Sequence, residues 1–300
     1  MLTTNRSNLH VVPVHFDGDE RIPADADAVP AYLAAGLFDL LGKPSVSEPS
    51  FPEPLRTDVT TTNIGLLGGE IADAVADGLR AGSPVLVAGG NCTLVPGVVG
   101  GIQQALGPDV RLGLVWFDAH GDFNTPRTTP SGMLGGMPVA VAAGLAHAEW
   151  RILSHQRVPL PTDRIVMVDV RNLDPDEDQL VRATDVVVAA PAPGYPGTDL
   201  GEAVAALADR CDVIYLHVDS DILDERYVPN HRTKEPNGPT MAETLAAVDT
   251  VMASGKVAVF ALVSVWRDGE GGSVAIASGQ DLLRGSLTSW QRHGNPMLAG

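Results

Sequence analysis

Cysteine is almost absent from this 300-residue chain. Only Cys92 and Cys211 occur, too few for the bridge framework that holds small secreted domains together. Positive charge is scarce as well: 20 Lys and Arg stand against 37 Asp and Glu, a formal net charge of −17. Such a field repels nucleic acid and anionic membrane surfaces, so neither is expected as a partner. No apolar run approaches membrane-spanning length, and the opening MLTTNRSN lacks a basic segment followed by an apolar core. Internal repeats, low-complexity tracts and a convincing linker are also missing. These absences lead to the expectation of a soluble cytoplasmic protein forming one domain over residues 1–300. A hydrophobic fraction of 44% with 19% charged residues provides ample apolar surface for its core.

What is present is a regular alternation of strand and helix patterns. Strands are expected at 10–16, 84–88, 112–117, 164–170, 185–190, 213–218 and 256–265. Pro13 in the first of them marks an edge position or an early bulge. Helices are expected at 31–41, 64–81, 94–106, 135–148, 200–210, 240–254 and 273–290, with one more opening at Pro175, a residue suited to a first helical position. In the second helix Ile71, Val75 and Leu79 fall four apart on one face. Thr240 with Glu243 three residues on makes a capping box. Residues 43–54 carry four prolines and read as a surface excursion. This alternation predicts an α/β fold, a mostly parallel central sheet covered by helices on both faces. Ligands of such sheets bind beyond the carboxyl ends of the strands.

The chemically loaded residues stand at that end. The run Leu112 to Phe117 leads into Asp118, His120 and Asp122, and side chains two apart on an extended backbone point the same way. A second run, Val213 to Val218, leads into Asp219 and Asp221. Like charges gathered at strand ends repel, and a divalent cation between them removes the repulsion. Carboxylates with one or two nitrogens suit Mn²⁺ or a similar ion, and two such ions can share a water and lower its pKa toward neutrality. A two-metal hydrolase site is the reading these residues support.

The motifs that carry this reading are Gly89-Gly90-Asn91-Cys92-Thr93, Asp118-Ala119-His120-Gly121-Asp122 and Asp219-Ser220-Asp221-Ile222-Leu223-Asp224. They resemble the G-G-D-H-S, D-A-H-x-D and D-x-D-x-x-D motifs of the ureohydrolases: arginases, agmatinases and formimidoylglutamases. The resemblance implies a parallel α/β fold and a binuclear manganese centre whose shared hydroxide attacks a guanidino or amidino carbon. It also implies a trimeric or hexameric assembly. Asp118 and Asp219 would bridge the two ions, His120 and Asp221 would complete one site, and Asp122 would belong to the other and relay a proton to the leaving amine. Asn124, Thr129 and Ser131 occupy the positions that receive an amino-acid carboxylate in arginases, and Asp174 the position that receives the ammonium. A small-molecule α-amino acid is the expected substrate, and agmatine, without a carboxylate, is disfavoured.

Departures from the family pattern are equally informative. Cys92 stands where the family has a histidine ligand. It is either a buried packing cysteine or a thiolate ligand, and soft sulfur suits zinc or Fe²⁺ better than manganese. The second ion would then bind weakly, differ in identity or be absent. Gly135 replaces a shuttle histidine, and no acid stands at the guanidinium-gripping position within Val263 to Asp268. Asp268 or Glu270 would take over that role, or the scissile group is less basic than guanidinium. Loss of the histidine, together with Gly121 to Pro126 and Leu134-Gly-Gly-Met137, is similar to the amidinohydrolases of cycloserine biosynthesis. Those release hydroxyurea and ornithine from N-hydroxy-L-arginine, whose hydroxylated group is the less basic one required. Two other readings compete: a single-metal, deacetylase-type amidohydrolase of the same fold, and a binding relative without turnover. His217 is expected either behind the metal residues or in the core, Cys211 in packing, and His147, His155, His231 and His293 on the surface. Gly89-Gly90 lacks the spacing of a phosphate cradle.

Overall fold

The computed structural model describes residues 8–294. Ten strands alternate with nine helices among those residues, in the order expected of an α/β chain. Eight strands make one sheet: β1 (His10–Val14), β4 (Ser45–Val46), β5 (Val85–Gly89), β6 (Leu112–His120), β7 (Ile165–Asn172), β8 (Val187–Ala189), β9 (Val213–Asp219) and β10 (Val257–Val263). Their order across the sheet is β4-β1-β5-β10-β9-β6-β7-β8, and every pairing is parallel. A separate hairpin joins β2 (Phe16–Asp17) to β3 (Glu20–Arg21).

The central strands are mostly apolar because both faces are covered, and alternation sends successive side chains into two different cores. Leu114 and Trp116 of β6 pack on one side with residues of α2 (Thr60–Arg80), α3 (Val95–Leu106), α4 (Pro138–Ala142) and α5 (Ala148–Leu153). Val115 and Phe117 pack on the other with α1 (Val29–Ala34), α7 (Leu200–Arg210), α8 (Met241–Met252) and α9 (Gly272–His293). Close packing of α2 on α3 depends on a missing side chain, since a Cβ on Gly97 would lie 2.5 Å from the Gly68 carbonyl oxygen. The remaining helix, α6 (Pro175–Arg182), opens on a capping box made by Asp174 and Glu177. No described helix is long and apolar enough to cross a membrane.

Most expected elements form within a few residues of their predicted ends, and three readings change. Residues 135–148 do not make one helix. Pro138 starts the short α4, and Gly144 (φ 80°) and His147 (φ 37°) turn the chain left-handed before α5 begins. The helix expected at 31–41 stops at Ala34, and left-handed Gly36 separates it from a single turn at Leu37–Asp39. The first strand ends at Val14, short of Phe16. Pro13 does sit at a local edge: its side of β1 faces β4, whose pairing has ended at Val46.

The sheet order explains where ligands can collect. The chain runs from β1 to β5, crosses three places over to β6 and moves outward to β8. It then returns to fill the gap with β9 and β10. Strand ends on either side of such a reversal diverge and leave a crevice at the carboxyl edge.

Candidate metal centre

Register brings the two acidic strand ends together. Phe117 of β6 pairs with Val218 of β9, so the next residues, Asp118 and Asp219, leave neighbouring strands at one level. Cys92 arrives from β5 through a short turn whose cap is Asn91, and its Sγ lies 3.0 Å from Asp219 Oδ2 and 3.7 Å from Asp118 Oδ2. Gly89 permits that turn: its φ is 89°, and a Cβ there would meet the Val14 carbonyl oxygen at 2.5 Å. His120 Nδ1 stands 3.2 Å from both Asp118 Oδ1 and Asp221 Oδ2. Asp122 adopts φ 46°, in the left-handed region. Three sets of donor atoms each converge within 4.8 Å: Cys92, Asp118 and Asp122; Asp118, His120 and Asp221; and Asp219, Asp221 and His231. All six metal-ligating residues expected from the sequence therefore meet in one place. They line a cleft of about 500 Å³.

The electrostatics of these groups fit a cation. Burial, then the Asp221 and Asp122 charges, pushes the Asp118 carboxyl well above its ordinary range. Burial and the charges of Asp219 and Glu177 likewise raise Asp122. The Cys92 thiol is driven well up by burial and by Asp219, Asp122 and Asp118. Burial alone would lower His120, but hydrogen bonds with Asp118 and Asp221 hold it at about 12. Four buried carboxylates with two imidazoles form a donor set that one or two hard-to-borderline divalent ions would neutralise, whereas protons alone leave the acids in conflict.

Sequence reasoning missed three members of this site. His231, expected on the surface, is 8% exposed, and its Nε2 is buried without a hydrogen-bond partner, 3.4 Å from Asp219 Oδ1. Thr233 donates its hydroxyl to Asp221 Oδ2 at 3.1 Å and lies 3.3 Å from His231 Nδ1. Arg171 pairs with Asp169 and donates to the carbonyls of Asp221, Ile222, Leu223, Glu235 and Pro236. It thereby fixes the turn carrying Asp221 and the long loop carrying His231. The motif Arg171-Asn-Leu-Asp draws attention to its acid, while the arginine holds the backbone.

The other flank of the cleft carries the four residues expected to hold an amino acid. Asn124 Nδ2 donates to Asp174 Oδ2 at 2.9 Å, so these two side chains are already paired. Glu177 accepts from the backbone N–H groups of Phe123 and Asp174 and ties that loop to α6. Thr129, half-buried, and Ser131, exposed, stand 3.4 Å apart at the rim. Neither Asp268 nor Glu270 can grip a guanidinium here, because both are exposed and outside the cleft lining. Ser264 (φ 60°) and Trp266 line that part of the cleft instead.

His217 is fully buried behind the centre. It stacks on Trp116 with ring centroids 4.1 Å apart, and Nε2 lies 3.4 Å from Cys92 Sγ. Burial lowers it to about 3, so it is neutral. Cys211 is buried in packing. His147, His155 and His293 are half-buried rather than fully exposed.

The Arginase family model matches residues 52–267, which spans the motifs at 89–93, 118–122 and 219–224. Arginase of Entamoeba histolytica is 29% identical over 215 residues, covering 68% of this chain and 70% of that sequence. Its solved structure, in complex with L-ornithine, has a TM-score of 0.75 at 19% identity over 94% of this chain and 99% of that one. Arginase of Bacillus caldovelox is 30% identical over 186 residues, 60% of each sequence. Its solved structure gives a TM-score of 0.77 at 24% identity, covering 94% of this chain and 98% of that one. The matched stretches thus span about three-fifths to seven-tenths of these curated relatives. With its fold, its motifs and its acidic centre in agreement, this chain belongs to the Arginase family, the ureohydrolases that act on C–N bonds of linear amidines.

Proposed function

We propose that the chain hydrolyses the amidino C–N bond of an arginine-like α-amino acid, with N-hydroxy-L-arginine as its substrate and Mn²⁺ as its ion. The observation that carries the reading is the convergence of Asp118, His120, Asp219 and Asp221, its acids buried, in a cleft whose far flank bears Asn124, Thr129, Ser131 and Asp174. Asp118, Asp219, His120 and Asp221 would hold one ion, and Asp118, Asp219, Asp122 and Cys92 the other. Bound there, divalent ions supply Lewis acidity, which polarises the amidine and makes water a nucleophile at neutral pH.

The chain's own residues do the rest. Thr129 and Ser131 hydroxyls donate to the carboxylate of the substrate, and the Asn124–Asp174 pair presents an acid to its ammonium. That fixes the amino-acid end and sets the distance from α-carbon to reacting carbon. Asp122, beside the reacting centre, takes up the proton that the attacking water gives up and passes it from its carboxylate oxygen to the departing amine. The absence of an acid at Ser264 leaves that part of the cleft without a partner for a full guanidinium charge, and an unpaired buried cation costs several kcal/mol. An N-hydroxyguanidine is less basic and enters neutral.

A single-ion hydrolase is the second reading. Cys92 favours it, because soft sulfur is a poor manganese ligand. A manganese-loaded assay across arginine, N-hydroxyarginine, agmatine and guanidino acids tests the first reading, with Asp118→Ala as control. Faster turnover of the N-hydroxy amino acid is expected, and equal rates with plain arginine would overturn the basicity argument. Elemental analysis at saturation separates one ion per chain from two. Assembly into trimers or hexamers is checked by sedimentation.

A further inference from the structure

We propose that His231 is a metal ligand through Nε2, so that both imidazoles of the centre, His120 and His231, serve the same ion. The inference rests on the reading of this cleft as a metal centre, and it concerns coordination alone, whatever the substrate.

Four observations carry it. His231 sits in a loop seven residues beyond the D-x-D-x-x-D motif, yet it is 8% exposed, buried against the site. Its Nε2 has no hydrogen-bond partner, which is costly for a buried polar nitrogen unless something else takes its lone pair. Asp219 Oδ1 is 3.4 Å from that nitrogen, and the ligand atoms of Asp219, Asp221 and His231 lie within 4.8 Å of one another. The far ring nitrogen is also provided for. Nδ1 has both the Thr233 backbone N–H and the Thr233 hydroxyl oxygen at 3.3 Å, and that hydroxyl donates onward to Asp221 Oδ2. These contacts orient the ring with Nε2 toward Asp219, and coordination through Nε2 takes the tautomer protonated at Nδ1, with the Thr233 hydroxyl as its acceptor in place of the Thr233 N–H contact.

The two oxygens of Asp219 divide the centre. Oδ2 faces Cys92, and Oδ1 faces His231. The chain therefore places a second imidazole on the side already holding His120 and leaves sulfur on the other. The consequence is one strong site and one weak site, in that order of filling.

Pulsed electron spin resonance of the protein loaded with one equivalent of Mn²⁺ counts coordinated imidazole nitrogens directly. Two are expected in the unaltered protein and one in His231→Asn, with Mn²⁺ binding by calorimetry weakened by at least about tenfold. A count of one in the unaltered protein overturns the proposal, as does a count of two in His231→Asn, which would assign the second imidazole to His217. Should His231→Asn fail to fold, His217→Gln decides: a retained count of two supports His231, and a fall to one contradicts it. Neither result depends on turnover, so failure of the assay on N-hydroxyarginine and failure of this assignment are read separately.

Discussion

The Cys92 side of the centre and the His231 side share Asp118 and Asp219 and differ in what completes them. On the first side stand a thiol and Asp122, both raised by burial and by the surrounding acids. On the second stand His120, Asp221 and His231, where the imidazoles hold the Asp221 carboxyl well below its usual range despite its burial. The first side needs a cation to relieve its charge and offers a poor donor to attract one. The second is balanced and rich in nitrogen. Affinity and electrostatic need are thus separated across a few ångströms, with the strained half closer to the proposed proton relay, Asp122.

Removing what the halves share should have the largest effect. Asp118→Ala is expected to abolish two-ion binding and lower kcat by about 10³-fold or more, measured by elemental analysis and steady-state assay. Retention of both ions would show that the halves do not share this bridge. Next comes the scaffold of the second half. Arg171→Ala leaves Asp169 and several carbonyls buried without their partner, a loss of about 3–5 kcal/mol in urea unfolding. The Cys92 side, held by β5 and not by Arg171, should keep its geometry. An unchanged unfolding midpoint would mean that Arg171 does not hold the loop of His231.

How much of this could be read from the chain depended on distance along it. Asp118, His120, Asp122, Asp219 and Asp221 lie at strand ends, where period-two alternation alone predicts a shared direction, and the structure places them together. The α7 helix formed at its expected limits because its apolar spacing and Asp199 cap are local. Thr240 and Glu243 made their capping box for the same reason. His231 was not legible. Its burial is imposed by Arg171, which reaches across some fifty to sixty residues to gather backbone carbonyls, and no periodicity marks such a contact. The break in the stretch 135–148 had local signals in Pro138 and Gly144, outweighed by its apolar content.

Smaller changes sharpen the contrast. Thr129→Val removes one donor from the carboxylate end and should raise KM by about 1.5–3 kcal/mol in free energy with kcat little changed. An effect on kcat alone would place Thr129 nearer the chemistry. Cys92→His should strengthen the weaker ion by about 1.4 kcal/mol, tenfold in affinity by calorimetry, and bring the two halves closer to parity. The smallest effect lies far from the centre. His10 is buried between Ser45 and the Ala74 carbonyl, and burial lowers its pKa from 6.5. The unfolded chain therefore takes up the proton first, so this stabilisation is fully present above pH 6.5 and is lost as the pH falls below it. His10→Asn should flatten the dependence of the urea midpoint between neutral and mildly acidic pH, and an unchanged slope would assign that dependence elsewhere.

The shared-carboxylate centre is tested most directly by anomalous diffraction from Mn²⁺-soaked crystals at the manganese edge. The account predicts a strong peak among Asp118, His120, Asp219, Asp221 and His231, with a weaker one beside Cys92 and Asp122. A map without density between Asp118 and Asp219 would contradict it.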